Sequence, residues 1–237
     1  MYSLKLIPLR VALHRARHQM GSGMALTCRS RLPFRVPSID VLASLSVLAF
    51  MLIGSFMDEA TALQRRERDG WDVLEDAGRG WRRVVASPAP VRIIEEEAIR
   101  TLVENGFVVI STGGGGIPIV VGADGSLTGV PAVIDKDLAC ALLATCIGAE
   151  LLLVTTAVEK VALDFGTPEQ RWVDRLTLDE AKDRLAEGRH FAEGSMAPKI
   201  RAVTQFLERG GSTAIVTNPQ NVERALAGET GTWIVAK

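Results

Sequence analysis

The sequence predicts an α/β fold in which a mostly parallel sheet is covered by helices on both faces, a three-layer sandwich. Two observations predict it. Short apolar runs, "FVVIST", "ELLLVTTA" and "STAIVTN", alternate with helical stretches along the chain. Each run is apolar on both faces, and a strand without alternation belongs in a sheet buried on both sides. Hydrophobic residues at 47% and charged residues at 23% are globular values, which argues against a disordered or collagen-like chain.

The first fifty residues stand apart. "LKLIPLRVALHRARHQMGSGMALTCRSRLPFRVPS" has no sustained helical or strand period. Seven Lys or Arg face one acid between Met1 and Asp40, so a leader of +6 sits on a remainder of −7. That balanced remainder has no long basic stripe and argues against nucleic-acid binding. Val41 to Met57 is seventeen residues without a charge. It is shorter than the ~20 residues of a full membrane span and contains Ser44, Ser46, Gly54 and Ser55. Two readings stand: a membrane anchor through 41–57, or a buried strand or helix.

From Asp58 the pattern becomes regular. "DEATALQRRERDG" is a helix stopped by Gly70. "WDVLEDAGRGWRRVVASPAP" reads as two extended pieces about an Ala-Gly-Arg-Gly turn, ended by Pro88 and Pro90. "IIEEEAIRTLVENG" is an amphipathic helix with Ile94, Ala98, Ile99 and Leu102 on one face. "KDLACALLATCIGA" is a helix, and Leu178 to Glu187 and Met196 to Glu208 are two more.

Cysteines and histidines suggest no metal centre. Cys28, Cys140 and Cys146 form no CxxC pair, and an odd count without a disulfide framework points to a reducing, cytoplasmic setting. His14 and His18 have i, i+4 spacing but no third ligand, so no metal ligand is assigned. His190 stands among loop residues, structural or solvated.

Three segments could handle phosphate. Gly113, Gly114, Gly115 and Gly116 follow an apolar run directly, where a glycine backbone can approach an anion and turn its amides inward; a flexible turn is the plainer alternative. Asp135, Lys136 and Asp137 open an apolar helix. Either carboxylate can cap it, but a lysine there opposes the helix dipole, and a phosphoryl group would suit its charge. Lys199 lies in the first turn of a helix that Ser195 could cap, facing phosphate or solvent. Two lysines and a glycine loop suit phosphoryl transfer, which needs positioning and charge neutralisation more than covalent chemistry.

In order, "IGSFMDEA", "EDAGRGWRRVVASP", "EEEAIRTLVENG", "STGGGGIPIV", "GVPAVIDKDLACALLA", "LLLVTTAVEKVALDFGTPEQ", "EGRHFAEGSMAPKI" and "TAIVTN" resemble the carbamate kinases, a branch of the amino acid kinase family, from about Ile53 to Lys237. The resemblance implies a sandwich around an eight-stranded, mostly parallel sheet. It implies reversible phosphoryl transfer between ATP and carbamate with Mg2+, giving carbamoyl phosphate and ADP in arginine breakdown, and a homodimer. By motif, Lys136 and Lys199 would neutralise the transferring group and Asp137 would orient them. Gly113 to Gly116 and Asp135 would line the phosphate and acceptor side. Thr156, Ala157, Val158, Lys160 and Phe165 would wall the nucleotide pocket, with Met196 beside it. Residues 53–90 would form a small protruding subdomain and 91–237 the nucleotide-binding domain, leaving 1–52 as a poorly ordered leader.

The opening of the family is not recognisable. Its Gly-Gly-Asn turn and second Gly-Asn loop have no counterpart in Met1 to Phe50, and Met51-Leu52-Ile53-Gly54 stands where the family has Lys-Pro-Ile-Gly. A frame-shifted or mis-started reading frame would produce this junction. An N-terminally incomplete sandwich with little activity and an exposed sheet edge is therefore expected, with a catalytically inactive nucleotide-binding remnant as the alternative.

Overall fold

The computed structural model describes residues 38–40 and 49–237. His14, His18, Cys28, most of the leader and the first half of the uncharged run lie outside the described residues.

Strand β1 (Ser38–Asp40) runs parallel to β6 (Ile117–Val121) and antiparallel to β5 (Arg92–Ile93), and β7 (Leu127–Gly129) completes that sheet. Strand β2 (Ala49–Met57) pairs antiparallel with β4 (Trp81–Ser87), which also pairs with β3 (Asp72–Glu75). The second half of the uncharged run is a strand satisfied by a ladder, and no described helix is long and apolar enough to cross a membrane. Residues 49–52, assigned to the leader, are paired in β2.

Helix α1 (Glu59–Asp69) starts where Asp58 accepts the Thr61 amide at 2.7 Å and stops at Gly70, whose φ of 66° few other residues adopt cheaply. Helix α2 (Glu96–Glu104) buries Ile99 and half-buries Val103, whereas Ala98 and Leu102 are exposed. Its inner stripe is narrower than the periodicity suggests, because this nine-residue helix rests mainly on one neighbour, α3 (Lys136–Cys146).

The remaining chain builds the main body: β8 (Leu151–Thr155), β9 (Val161–Leu163), β10 (Arg171–Val173), β11 (Arg175–Thr177), α4 (Leu178–Ala186), α5 (Met196–Glu208), β12 (Thr213–Thr217), α6 (Val222–Leu226) and β13 (Thr232–Val235). Its four-stranded sheet has the order β11-β13-β12-β8. Two of its three ladders are parallel, β8 with β12 and β11 with β13. Leu152, Val154, Ala214, Val216 and Ile234 pack into one core with α3, α4 and α5. Leu151, Leu153, Ile215 and Trp233 face the opposite way, towards Val222 and Ala225 of α6. Helices therefore cover both faces, which is why these strands read as unbroken apolar runs.

One expected strand is absent. Residues 107–112 make no ladder with any described residue, and Phe107, Val108 and Ile110 are exposed while Val109 packs inward beside Ile93 and Ile99. A strand exists through its ladder partners, and apolar content alone does not supply them. The described strands divide into sheets of four, four, three and two, and among the described residues no ladder joins the two four-stranded sheets into the single one implied by the resemblance.

Urea denaturation tests this division of the chain. Phe206→Ala, which empties a site 1% exposed, is expected to cost about 3–5 kcal/mol. Ile110→Ser, at a site 91% exposed, is expected to change stability by less than about 0.5 kcal/mol.

Candidate active site

Asp135 turns the chain into α3. One of its carboxylate oxygens accepts the amides of Asp137 at 2.7 Å and Leu138 at 3.2 Å. Capping thus falls to Asp135, and Asp137 is left for other partners. Asp137 is 3% exposed; its Oδ2 accepts a hydrogen bond from Lys199 Nζ at 2.8 Å and lies 3.6 Å from Lys136 Nζ. Its Oδ1 is buried without a hydrogen-bond partner. Lys136 opens α3 and Lys199 lies in the first turn of α5. The helices pack through Ala141, Ala144, Ala197, Ile200 and Val203. Two ammonium groups therefore converge on one shared carboxylate where two helices begin, and with Asp135 occupied in capping the lysines are the groups suited to an anion.

Ser195 does not cap α5, contrary to expectation. Its backbone, at φ −145° and ψ −68°, leaves the side chain without a cap hydrogen bond. The amides of Ser195, Met196 and Ala197 instead converge on the Ala192 carbonyl, each at 3.1 Å.

The glycine run serves packing as much as approach. Gly113 donates its amide to the Ser111 carbonyl at 2.7 Å and Gly115 to that of Thr112 at 2.8 Å, so two of four amides close the turn. Gly115 has φ 122°, and a Cβ there would stand 2.1 Å from the Ile134 carbonyl oxygen. That contact clips the loop to the residue preceding Asp135. Beneath it, Thr112 Oγ1 lies 3.1 Å from Cys140 Sγ, and burial pushes the Cys140 thiol up to about 11.

The expected nucleotide wall follows the C-terminal end of β8. The Thr156 amide donates to the Thr217 carbonyl at 2.8 Å, Ala157 is exposed and Val158 is half-buried. Lys160 is paired with Asp174 at 2.5 Å. Phe165 is exposed and meets Trp172 edge-on at 6.3 Å. Met196 packs against the core of the main body, which gives it a packing role. No hydrogen bond or ion pair among the described residues links this wall to Lys136 or Lys199.

Two residues carry more than their sequence context suggests. Thr217, at the end of β12 and opposite Thr155, is fully buried with a hydroxyl lacking any partner. Open α/β sheets bind ligands beyond such strand ends; a threonine closing an apolar run was the available signal. His190 is buried between the carboxylates of Asp164 and Glu187. It is not solvated, and nothing local in the sequence marks it. No group of three or more His, Cys, Asp or Glu side chains able to hold a metal gathers among the described residues.

A model described as the amino acid kinase family matches residues 53–218. The chain belongs to that family. Within it, the chain is 51% identical over 185 residues to the carbamate kinase-like protein YahI of Escherichia coli, covering 77% of this chain and 58% of that protein. It is 46% identical over 183 residues to the carbamate kinase of Thermococcus kodakarensis, with the same coverage. The carbamate kinase of Giardia lamblia bound to AMP-PNP superposes with a TM-score of 0.74 at 36% identity, over 84% of this chain and 63% of that one. The chain thus spans under two thirds of the length of these relatives.

Two substitutions probe the site's construction. Lys199→Met leaves Asp137 buried beside the more distant Lys136 alone and is expected to cost about 3 kcal/mol; Lys199→Met with Asp137→Asn should recover part of that loss in urea melts. Gly115→Ala should destabilise by more than about 2 kcal/mol, whereas Gly114→Ala, where a Cβ meets nothing within 4 Å, should be nearly silent.

Proposed function

We propose that this chain carries the phosphoryl-handling part of a carbamate kinase. In the ATP-forming direction the bond between phosphorus and the carbamate oxygen of carbamoyl phosphate breaks, and a bond to the terminal oxygen of ADP forms, releasing carbamate. One observation carries the reading: Lys136 and Lys199 are held on the buried carboxylate of Asp137 where two packed helices begin. The transferring phosphoryl group spreads negative charge over its oxygens, and preset cations stabilise that charge without reorganising. Asp137 keeps two like charges close together, which in its absence would repel each other.

ATP and ADP enter this reading through the family and the nucleotide-bound Giardia relative. Magnesium suits it as a companion of the phosphates, since Mg2+ is commonly held by phosphates, waters and one or two carboxylates. Asp137 Oδ1 is the buried, unpartnered oxygen that fits such a role. A homodimer, a cytoplasmic setting and a place in arginine breakdown rest on the resemblance and the cysteine count.

A second reading, nucleotide binding without turnover, is favoured by the one-sided supply of cations: among the described residues the phosphate-directed lysines come from α3 and α5 only. Coupled formation of ATP from ADP and carbamoyl phosphate separates the two. Under the first reading, Lys136→Met and Lys199→Met each lower kcat at least about 100-fold. A thermal shift with MgADP but no ATP formation selects the second, and neither signal refutes both.

A further inference from the structure

His190 lies outside the phosphoryl-handling cluster, and its surroundings give it a separate task. It is 5% exposed, and Phe191 beside it is equally buried, so the core fixes the position of its ring. Nδ1 stands 2.8 Å from Asp164 Oδ1 and Nε2 stands 2.9 Å from Glu187 Oε2. A carboxylate at each nitrogen can be satisfied at both only by the doubly protonated ring, which donates twice; the neutral ring has one N–H. The two carboxylates belong to different elements. Glu187 closes α4, whereas Asp164 leads from β9 into the turn that carries Phe165.

The turn depends on support. Asp164 adopts φ 53°, a left-handed conformation that favours glycine. Its carbonyl accepts the Thr167 amide at 3.1 Å and the Thr167 hydroxyl at 2.9 Å, but its carboxylate has His190 as its hydrogen-bond partner. Glu187 is held differently: Arg184 reaches it at 2.7 Å and Arg189 at 2.9 Å, both besides His190. Its carboxyl is lowered to about 2, by the His190 hydrogen bond first and Arg189 second. The charged groups facing the ring and its partners are thus Asp164 from the turn, Glu187 and Arg184 from the end of α4, and Arg189 from the segment leading to α5.

We infer that His190, held by a carboxylate at each ring nitrogen, is a positioning residue that clamps the Asp164–Phe165 turn to the end of α4, presenting Phe165 to the nucleotide. This inference rests on the nucleotide-binding reading above and adds to it the residue that sets the wall's order. Phe165 is 62% exposed and meets the edge of Trp172, so much of its ring is open to a ligand.

The experiment uses the full chain. MgADP affinity is measured by calorimetry, and Trp172 fluorescence is read in a chain whose other tryptophans are Phe. His190→Gln and Asp164→Asn should each bind MgADP about tenfold more weakly and change Trp172 emission in the same direction. Affinity and emission unchanged in both variants, even with a lower melting temperature, overturn the inference by reducing His190 to a core residue. If His190→Gln does not fold, Asp164→Asn decides by the same two readings. If the unaltered chain binds no MgADP, the nucleotide reading fails. The clamp is then judged on Trp172 emission: a change in the variants upholds it, and its absence overturns it.

Discussion

The parallel pairing of β8 with β12 is the constraint on which the site depends. Leu151 to Thr155 lie opposite Thr213 to Thr217 in unbroken register. Helix α3 reaches β8 across residues 147–150, and α5 reaches β12 across residues 209–212. Connections so short between packed elements reverse the chain, so each helix runs back along its strand. Two parallel strands therefore place two helix beginnings together, at the strands' C-terminal edge. Lys136 and Asp137 belong to one beginning and Lys199 to the other. Sixty-two residues apart in sequence, Asp137 and Lys199 meet because the sheet leaves their helices no other arrangement.

Electrostatics then turns an awkward placement into a usable one. A lysine at the start of a helix opposes the dipole, and two such lysines oppose each other. Asp135 takes over the capping of α3, which frees Asp137 to offset both ammonium groups. The glycine loop is held to the same corner by contact rather than charge, since only a residue without a side chain lets the Ile134 carbonyl come so near Gly115.

The order of helices and covered strands was legible because each strand is apolar on both faces and each helix has its own stops, such as Gly70. Asp135, Lys136, Asp137 and Lys199 were legible as types that do not suit their helical positions unless something binds there. Segment 107–112 was misread because Phe107, Val108 and Ile110 have the composition of a strand, while pairing depends on residues far away in sequence. The short strands β9, β10, β11 and β13 carry too few residues to show a period. His190 was missed for the same reason of distance: Asp164 lies 26 residues before it, and the burial that makes their contact matter comes from Phe191 and the core behind it.

The pair of Asp137 and Lys199 has a consequence for descent. A carboxylate this deeply buried is costly to leave without its lysine, so the two residues can be replaced safely only together. Single substitutions pass through a poorly folded ancestor, and purifying selection on folding alone would hold both in place. A lineage that gave up phosphoryl transfer would thus go on carrying the pair, as a relic kept by architecture rather than by chemistry.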